Sequence, residues 1–546
     1  LRAHRVTDPA ERAQPALLRK KNRTPRGSGF SLSVRGDRER AVILRQWTHN
    51  RRDPFCLPVG LDPIENVMSL RPSPATYDDL FQRHGAAFKW IVLAVIGLGT
   101  VSGVLSTSSF NVAVPAMMRH FGIGQEQVQW AMTGFMAAMA VGMLPTSWLL
   151  ERMGLRRVFL VAQLTLMTAG VFGFFAPSFA LVVLARIVQG LAAGVLQPIA
   201  MLALLRLFPR EVQGRASGLL TFSIALTPAV APALGGLLLE RFGWEAIFLL
   251  GLPFSLLAGV AALYLLPLPR ELSARRFDWA GLGWLSLATV AMVEGVASLQ
   301  HSGLLSPWTL GQLGLALAAV QLFRRHARRL DAPLIQLKLF GDRTFAMGSL
   351  VSFSYGFGLY ASTYLIPVFL QHVLSYQAAD AGLALLPSGI ALVLTLPLAG
   401  RLVDRYPPKR VTLVGLLAFG ASFVAFAVEA GRISYSEIIA ATIVGRIGLG
   451  LILPALNLAA LRHVGASQLG QVAVVSSYAR QLGGVVGIAV VAVFVQWRES
   501  VHGASSAGLQ AAYSQGFLLL AAVFALAVVA AARMQADRAP APLRID

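Results

Sequence analysis

A chain of 546 residues in which 55% are hydrophobic and only 13% charged lacks the polar surface that a water-soluble globule of this size needs, so much of it must face lipid. A formal net charge of +21 would point a soluble protein toward nucleic acid, but here most basic residues fall in short breaks between apolar runs, the pattern of cytoplasmic loops. Nucleic acid is therefore excluded as a partner, and the lipid bilayer takes its place.

The mean hydropathy of +0.63 agrees, as do 51 glycines and 28 prolines, since both residues are commoner in membrane helices than in soluble ones. Cys56 is the only cysteine, which leaves no internal disulfide and argues against a cysteine-ligated metal; the histidines show no metal spacing such as HExxH. Neither a G-x-x-x-x-G-K-[ST] phosphate loop nor a nucleophile elbow is present, so an ATP-driven pump or a membrane hydrolase has no support and no enzyme is expected.

Residues 1–88 are Arg-rich and Pro-dotted without a sustained apolar run, as in Arg19-Lys20-Lys21-Asn22-Arg23, and read as a basic, disordered extension. A start at Met68, with residues 1–67 an annotation artefact, is an equal alternative. From Lys89 about fourteen apolar segments long enough for a ~30 Å hydrocarbon core follow in series. They are 90–112, 128–150, 157–176, 179–205, 216–239, 246–266, 279–299, 309–323, 344–368, 380–402, 410–429, 437–461, 472–496 and 514–533. Being continuous rather than alternating, they are helices and not barrel strands.

Alternate loops carry about twenty Lys and Arg against four, which puts the richer set and both termini in the cytoplasm. The chain also repeats itself. Ser147 to Arg152 with Arg156-Arg157 recurs as Gly400 to Arg405 with Lys409-Arg410, and Arg186-Ile187 with Gly190 recurs as Arg446-Ile447 with Gly450. Such repeats in two halves mark a secondary transporter whose site lies between them.

Three stretches carry the chemistry. The loop after the second span reads Glu151-Arg152-Met153-Gly154-Leu155-Arg156-Arg157, an acid and guanidinia on a tight turn that can lock helix ends together. Its counterpart supplies Asp404 and Arg405. In the fourth span Arg186 is followed by Gln189 and Gly190; a guanidinium inside a span costs ~3 kcal/mol on insertion scales and must find partners in the bundle. The fifth span holds Pro228, Pro232, Gly235 and Gly236, where the prolines bend the helix and the glycines admit a neighbour.

These stretches resemble the G-x-L-x-D-R-x-G-x-R-R loop, the R-x-x-Q-G motif and the antiporter motif G-P-x-x-G-G of the major facilitator superfamily, with Ser147, Glu151 and Ala231 as departures. Asn111-Val112-Ala113-Val114-Pro115, Gly243-Trp244 and Arg480-Gln481-Leu482-Gly483-Gly484 extend the likeness. The chain is thus similar, over 90 to about 535, to the fourteen-spanner drug:proton antiporter branch (EmrB/QacA type).

The resemblance implies an all-α integral membrane fold with two six-helix bundles, 89–266 and 344–535, two linker helices in 267–343 and a tail, 536–546. It implies a proton-coupled multidrug exporter of small hydrophobic compounds, working by alternating access in the bacterial inner membrane. No cofactor beyond the proton gradient is expected, and a periplasmic adaptor protein is an expected partner. Export of an endogenous metabolite or lipid, or a non-transporting receptor or scaffold on the same bundle, stays open.

Where the family places an Asp, five residues before Asn111, this chain has Ser106, which cannot titrate near neutral pH. Glu294 and Asp380 are then the candidate proton carriers, with Arg186, Gln189 and Gly190 the coupling motif. Asn111, Trp130, Phe135, Tyr355 and Tyr360 are the expected lining of the substrate cavity, together with Phe110 and Phe353.

Overall fold

The computed structural model describes Gln82 and residues 85–267, 276–303, 305–429, 433–459, 468–503 and 505–535. The basic extension up to residue 84 apart from Gln82, the tail 536–546, Arg270, Arg275, Arg432 and Arg462 lie outside the described residues, as does the side chain of Pro232.

Apolar runs fold as helices because a backbone surrounded by lipid must satisfy its own hydrogen bonds. The first half comprises α1 (Phe88–Phe121), α2 (Gln125–Met143), α3 (Thr146–Met153), α4 (Leu155–Phe174), α5 (Phe179–Leu207), α6 (Gln213–Phe242) and α7 (Leu252–Leu265). Then come α8 (Trp279–Ser302) and α9 (Pro307–Ala327). The second half comprises α10 (Arg343–His372), α11 (Ala378–Arg405), α12 (Pro408–Glu429), α13 (Tyr435–Ala459), α14 (Leu469–His502) and α15 (Ser506–Ala532).

Among the described residues 11 helices are long and apolar enough to cross a membrane, or 12 counting the bent pair α2 and α3. Two further long helices, α6 and α9, coincide with the fifth and eighth predicted spans. The second predicted span, 128–150, is not one rod. It breaks at Leu144-Pro145 with a 50° bend, because the proline has no N–H to continue the ladder. The first span runs on past Pro115 to Phe121, nine residues beyond its predicted end.

Within the first half α1 packs on α5, α6 and α7, and α2 on α5; within the second, α10 packs on α14 and α12 on α13 and α15. The linker helices pair with each other, and α8 reaches α14, where Thr289 Oγ1 and the Tyr478 hydroxyl lie 2.6 Å apart.

Asp278 fastens the linker. Its carboxylate caps α8 at Gly281 N (2.7 Å) and also accepts from Leu334 N (2.9 Å) and from His326 Nε2 (2.8 Å). The segment it holds buries Leu334, Ile335 and Leu339 against Leu144 of α2's end and Val472 and Val475 of α14.

The halves meet unevenly. At the end bearing the basic loops one apolar core contains Leu204, Phe208, Ala216 and Leu220 of the first half with Ala399, Val403, Leu451 and Ala455 of the second. At the opposite end the core around Phe110, Met117 and Trp244 is built from the first half alone, and that around Phe369, Tyr513 and Phe517 from the second alone.

Candidate functional site

The seam at the basic end is made by α6 against α11. Asp404 accepts from the backbone N–H groups of Gly214 (2.7 Å) and Arg215 (3.0 Å), the free donors that a helix N-terminus offers to an anion. The Arg215 guanidinium adds an exposed contact at 3.7 Å. The helices approach so closely because both contact positions lack a side chain. A Cβ on Gly214 would stand 2.3 Å from the Gly400 carbonyl oxygen, and one on Gly400 2.4 Å from that of Gly214.

The sequence repeat reappears in space. Ser147, the counterpart of Gly400, lies against Gly470 at the start of α14, where a Cβ would stand 2.5 Å from the serine hydroxyl. Ser147 also donates to Glu151 at 3.4 Å. Gly154 turns the chain between α3 and α4 at φ +79°, a conformation L side chains rarely adopt, which accounts for the glycine in that loop. Arg152 and Arg157 are exposed, and the Arg405 guanidinium lies 5.9 Å from the Tyr406 ring centre.

Arg186 is 2% exposed. Its Nη1 donates to the Ser106 carbonyl (3.0 Å), the Ser106 hydroxyl (3.4 Å) and Gln189 Oε1 (3.2 Å). The guanidinium is clasped between the rings of Phe110 (4.2 Å) and Phe135 (4.0 Å). Desolvated cation–π contacts are worth roughly 2 kcal/mol each, enough with the hydrogen bonds to offset the insertion cost. Gly190 admits the Phe135 carbonyl, which a Cβ would meet at 2.4 Å.

Beside this cluster lies a small cavity lined by Ser102, Ser106, Gln189 and Ser255, with the Ser255 hydroxyl and Arg186 Nε unpartnered among the described residues. Arg186 has no carboxylate partner among the described residues.

Neither candidate acid joins Arg186. Asp380 stands exposed in the first turn of α11, and Glu294 is half-buried on the linker helix α8. The expected cavity residues also divide. Phe135 is the fully buried lid of Arg186; Tyr355 is buried and Tyr360 half-buried on α10; Trp130 is 50% exposed near the start of α2 and Asn111 is exposed. On α6, Pro228 is exposed, Gly235 packs on Ser109 and Gly236 faces open space, and the helix runs unbroken from Gln213 to Phe242.

Sequence reasoning left Arg480 and Arg446 out of the site, although each is a cation inside an apolar run, the signal that found Arg186. Arg480 Nη2 reaches Gln197 Oε1 of the first half at 3.4 Å and Ser477 Oγ at 3.5 Å.

Two like halves of long apolar helices, joined by apolar packing at the basic-loop end, define a polytopic membrane transporter. The chain belongs to the Major Facilitator Superfamily, whose family model matches residues 96–488. It is 30% identical over 407 residues to the Multidrug resistance protein B homolog of Mycobacterium tuberculosis, covering 73% of this chain and 75% of that one. It is 29% identical over 409 residues to the Multidrug resistance protein Stp of the same organism, covering 74% and 76%. Among solved structures the proton:xylose symporter XylE aligns over 80% of this chain and 95% of its own with a TM-score of 0.59 and 14% identity, a likeness of fold.

Proposed function

We propose that the chain is a multidrug-type exporter of small hydrophobic compounds, coupled to protons and working by alternating access between its halves. The observation that carries this reading is the uneven seam: apolar packing joins the halves at the basic-loop end and stays within each half at the other. Relatives named multidrug resistance proteins over about three quarters of the chain supply the direction and the kind of cargo.

In this reading residues 89–266 and 344–535 are the rocking bundles, 267–343 the linker, and the basic end the cytoplasmic side of an inner membrane. The conformer is then outward-facing. Asp404 with Gly214 and Ser147 with Gly470 are its inner latch, and the Arg186 cluster stiffens the first bundle beside the path. Glu294 and Asp380 are the proton carriers to be tested, and α6, which holds Pro228 and Pro232, is the element that bends as the halves exchange. The test is flux in proteoliposomes under an imposed pH gradient, across a panel of hydrophobic compounds. Uphill movement that collapses with the gradient supports the reading, and absence of any protein-dependent flux overturns it.

A further inference from the structure

Among the described residues, charge deep inside the spanning helices of the two halves is positive. Arg186, Arg446 and Arg480 stand within α5, α13 and α14, whereas the acids on the described helices, Glu294 of α8 apart, stand in first or last turns. Arg446 and Arg480 are each the twelfth residue of a helix, about 17 Å along it at 1.5 Å per residue, well inside the hydrocarbon depth.

The three cations differ in reach. Arg186 is sealed between two rings and cannot meet a passing molecule. Arg480 is half-buried where α14 touches α5 of the other half, and its bonds are long ones from a single nitrogen. A guanidinium offers five N–H donors in a planar fork suited to carboxylate-like groups. The remaining donors of Arg480 bond nothing among the described residues. On α10, Tyr355 adjoins Gly356, which packs against the Arg480 backbone, and the Tyr360 ring packs on Gly484, one turn along α14 from Arg480. The cluster thus offers guanidinium and phenol donors, carries a positive charge, and has no carboxylate of its own among the described residues.

We infer that Arg480, with Tyr355 and Tyr360, forms the site for an anionic headgroup, so that the exported compounds are hydrophobic anions such as carboxylates and sulfonates rather than cations. This deepens and rests on the export reading. A carboxylate at Arg480 completes the fork, while a cation there would meet a like charge with no acid to balance it. Phe353 and Phe357, paired at 6.4 Å on the same helix as the tyrosines, offer the apolar body of such a molecule a wall.

The experiment uses the purified full chain and three probes of one skeleton: naphthoate, neutral naphthamide and naphthylmethylammonium. Binding is measured in detergent and flux in proteoliposomes. Naphthoate should bind about tenfold or more tighter than naphthamide, as charge-assisted hydrogen bonds imply, and the cation weakest. Arg480→Gln should erase that preference, bringing naphthoate down to the naphthamide level, while an unchanged gel-filtration profile shows that the variant folds, and Arg480→Lys should retain part of it. Equal or tighter binding of the cation, no naphthoate binding, or variants that weaken all three probes alike would overturn the inference. Anion-selective binding without flux of any probe would sink the export reading and leave the anion site standing.

Discussion

The carboxylate of Asp404, on the last turn of α11, takes the backbone N–H groups of Gly214 and Arg215 at the first turn of α6, so that one side chain of the second half caps a helix of the first. An acid capping a helix N-terminus is worth about 1–2 kcal/mol, and this one exists only while the seam is shut. Asp404→Ala should therefore shift the balance between the two access states roughly five- to thirtyfold toward the open basic end. In a Cys56→Ser background, a thiol at the buried position Leu396 should react correspondingly faster with an impermeant reagent. An unaltered rate would show that the cap is incidental to gating.

Gly214→Ala and Gly400→Ala test the same seam by shape. Alanine favours a helix by about 1 kcal/mol over glycine, so each variant should fold normally. The added methyl, however, would lie 2.3–2.4 Å from a backbone carbonyl across the seam, which cannot yield as a flexible side chain can. Spin labels at the exposed positions Glu211 and Tyr406 should move apart and transport should fall at least tenfold. Unchanged distances would mean that the helices slide to accommodate the methyl.

Arg186 pairs with a carbonyl, a hydroxyl and a carboxamide but with no carboxylate among the described residues, which separates its role in transport from its effect on stability. Replacing a buried, unpaired charge by an apolar side chain of similar length is often neutral or stabilising. Arg186→Met should keep or raise the thermal midpoint while lowering transport tenfold or more. A midpoint lowered by many degrees would show that the ring clasp and hydrogen bonds hold the bundle together.

Asp278 gives the linker a defined pH response. Burial pulls its carboxyl up, but the hydrogen bond from His326, the backbone N–H groups of Leu334 and Gly281 and the charge of His326 outweigh that and hold it below its ordinary value. Its contribution is therefore complete above the unfolded value of about 3.9 and is lost as pH falls through the lower folded value. Between pH 5 and 8 this residue should leave stability unchanged. Asp278→Asn should lower it by about 1–3 kcal/mol at neutral pH, because Leu334 N and His326 lose a charged acceptor. Melting curves of the variant that matched the parent's at pH 6 would remove Asp278 as the linker's anchor.

Reporter fusions address orientation. A reporter active only outside the cytoplasm should be active after Ser302 or Gly503 and silent after Arg328, as the loop charges require. Reversal at two of these sites would invert the assignment of the seam to the cytoplasmic side.

Apolar run length was enough to locate the long helices among the described residues, because lipid leaves the backbone few alternatives; the bend at Pro145 was missed because a run of apolar residues has the same composition whether straight or broken. Arg186 stood out as a cation in an apolar run, and its neighbour Gln189 came with it at helical spacing. Ser106, 80 residues away, could be flagged as a departure from the family pattern but not as the acceptor of that cation, since the pairing of α1 with α5 is tertiary. Asp404 was legible as a loop acid, yet its partners lie 190 residues back on the other half, where no local pattern reaches. Asp278 and Arg480 carry the same lesson: residue type was visible, and the company each keeps was not.

The cation at Arg480, with no carboxylate partner among the described residues, bears on energetics. A cell interior is electrically negative, and a unit negative charge leaving it gains about 2.3 kcal/mol per 100 mV, which sustains a roughly fiftyfold concentration ratio. An anion carried outward past Arg480 would draw on the membrane potential directly. The serine at position 106, in place of a titratable acid, then costs such a transporter little of its driving force.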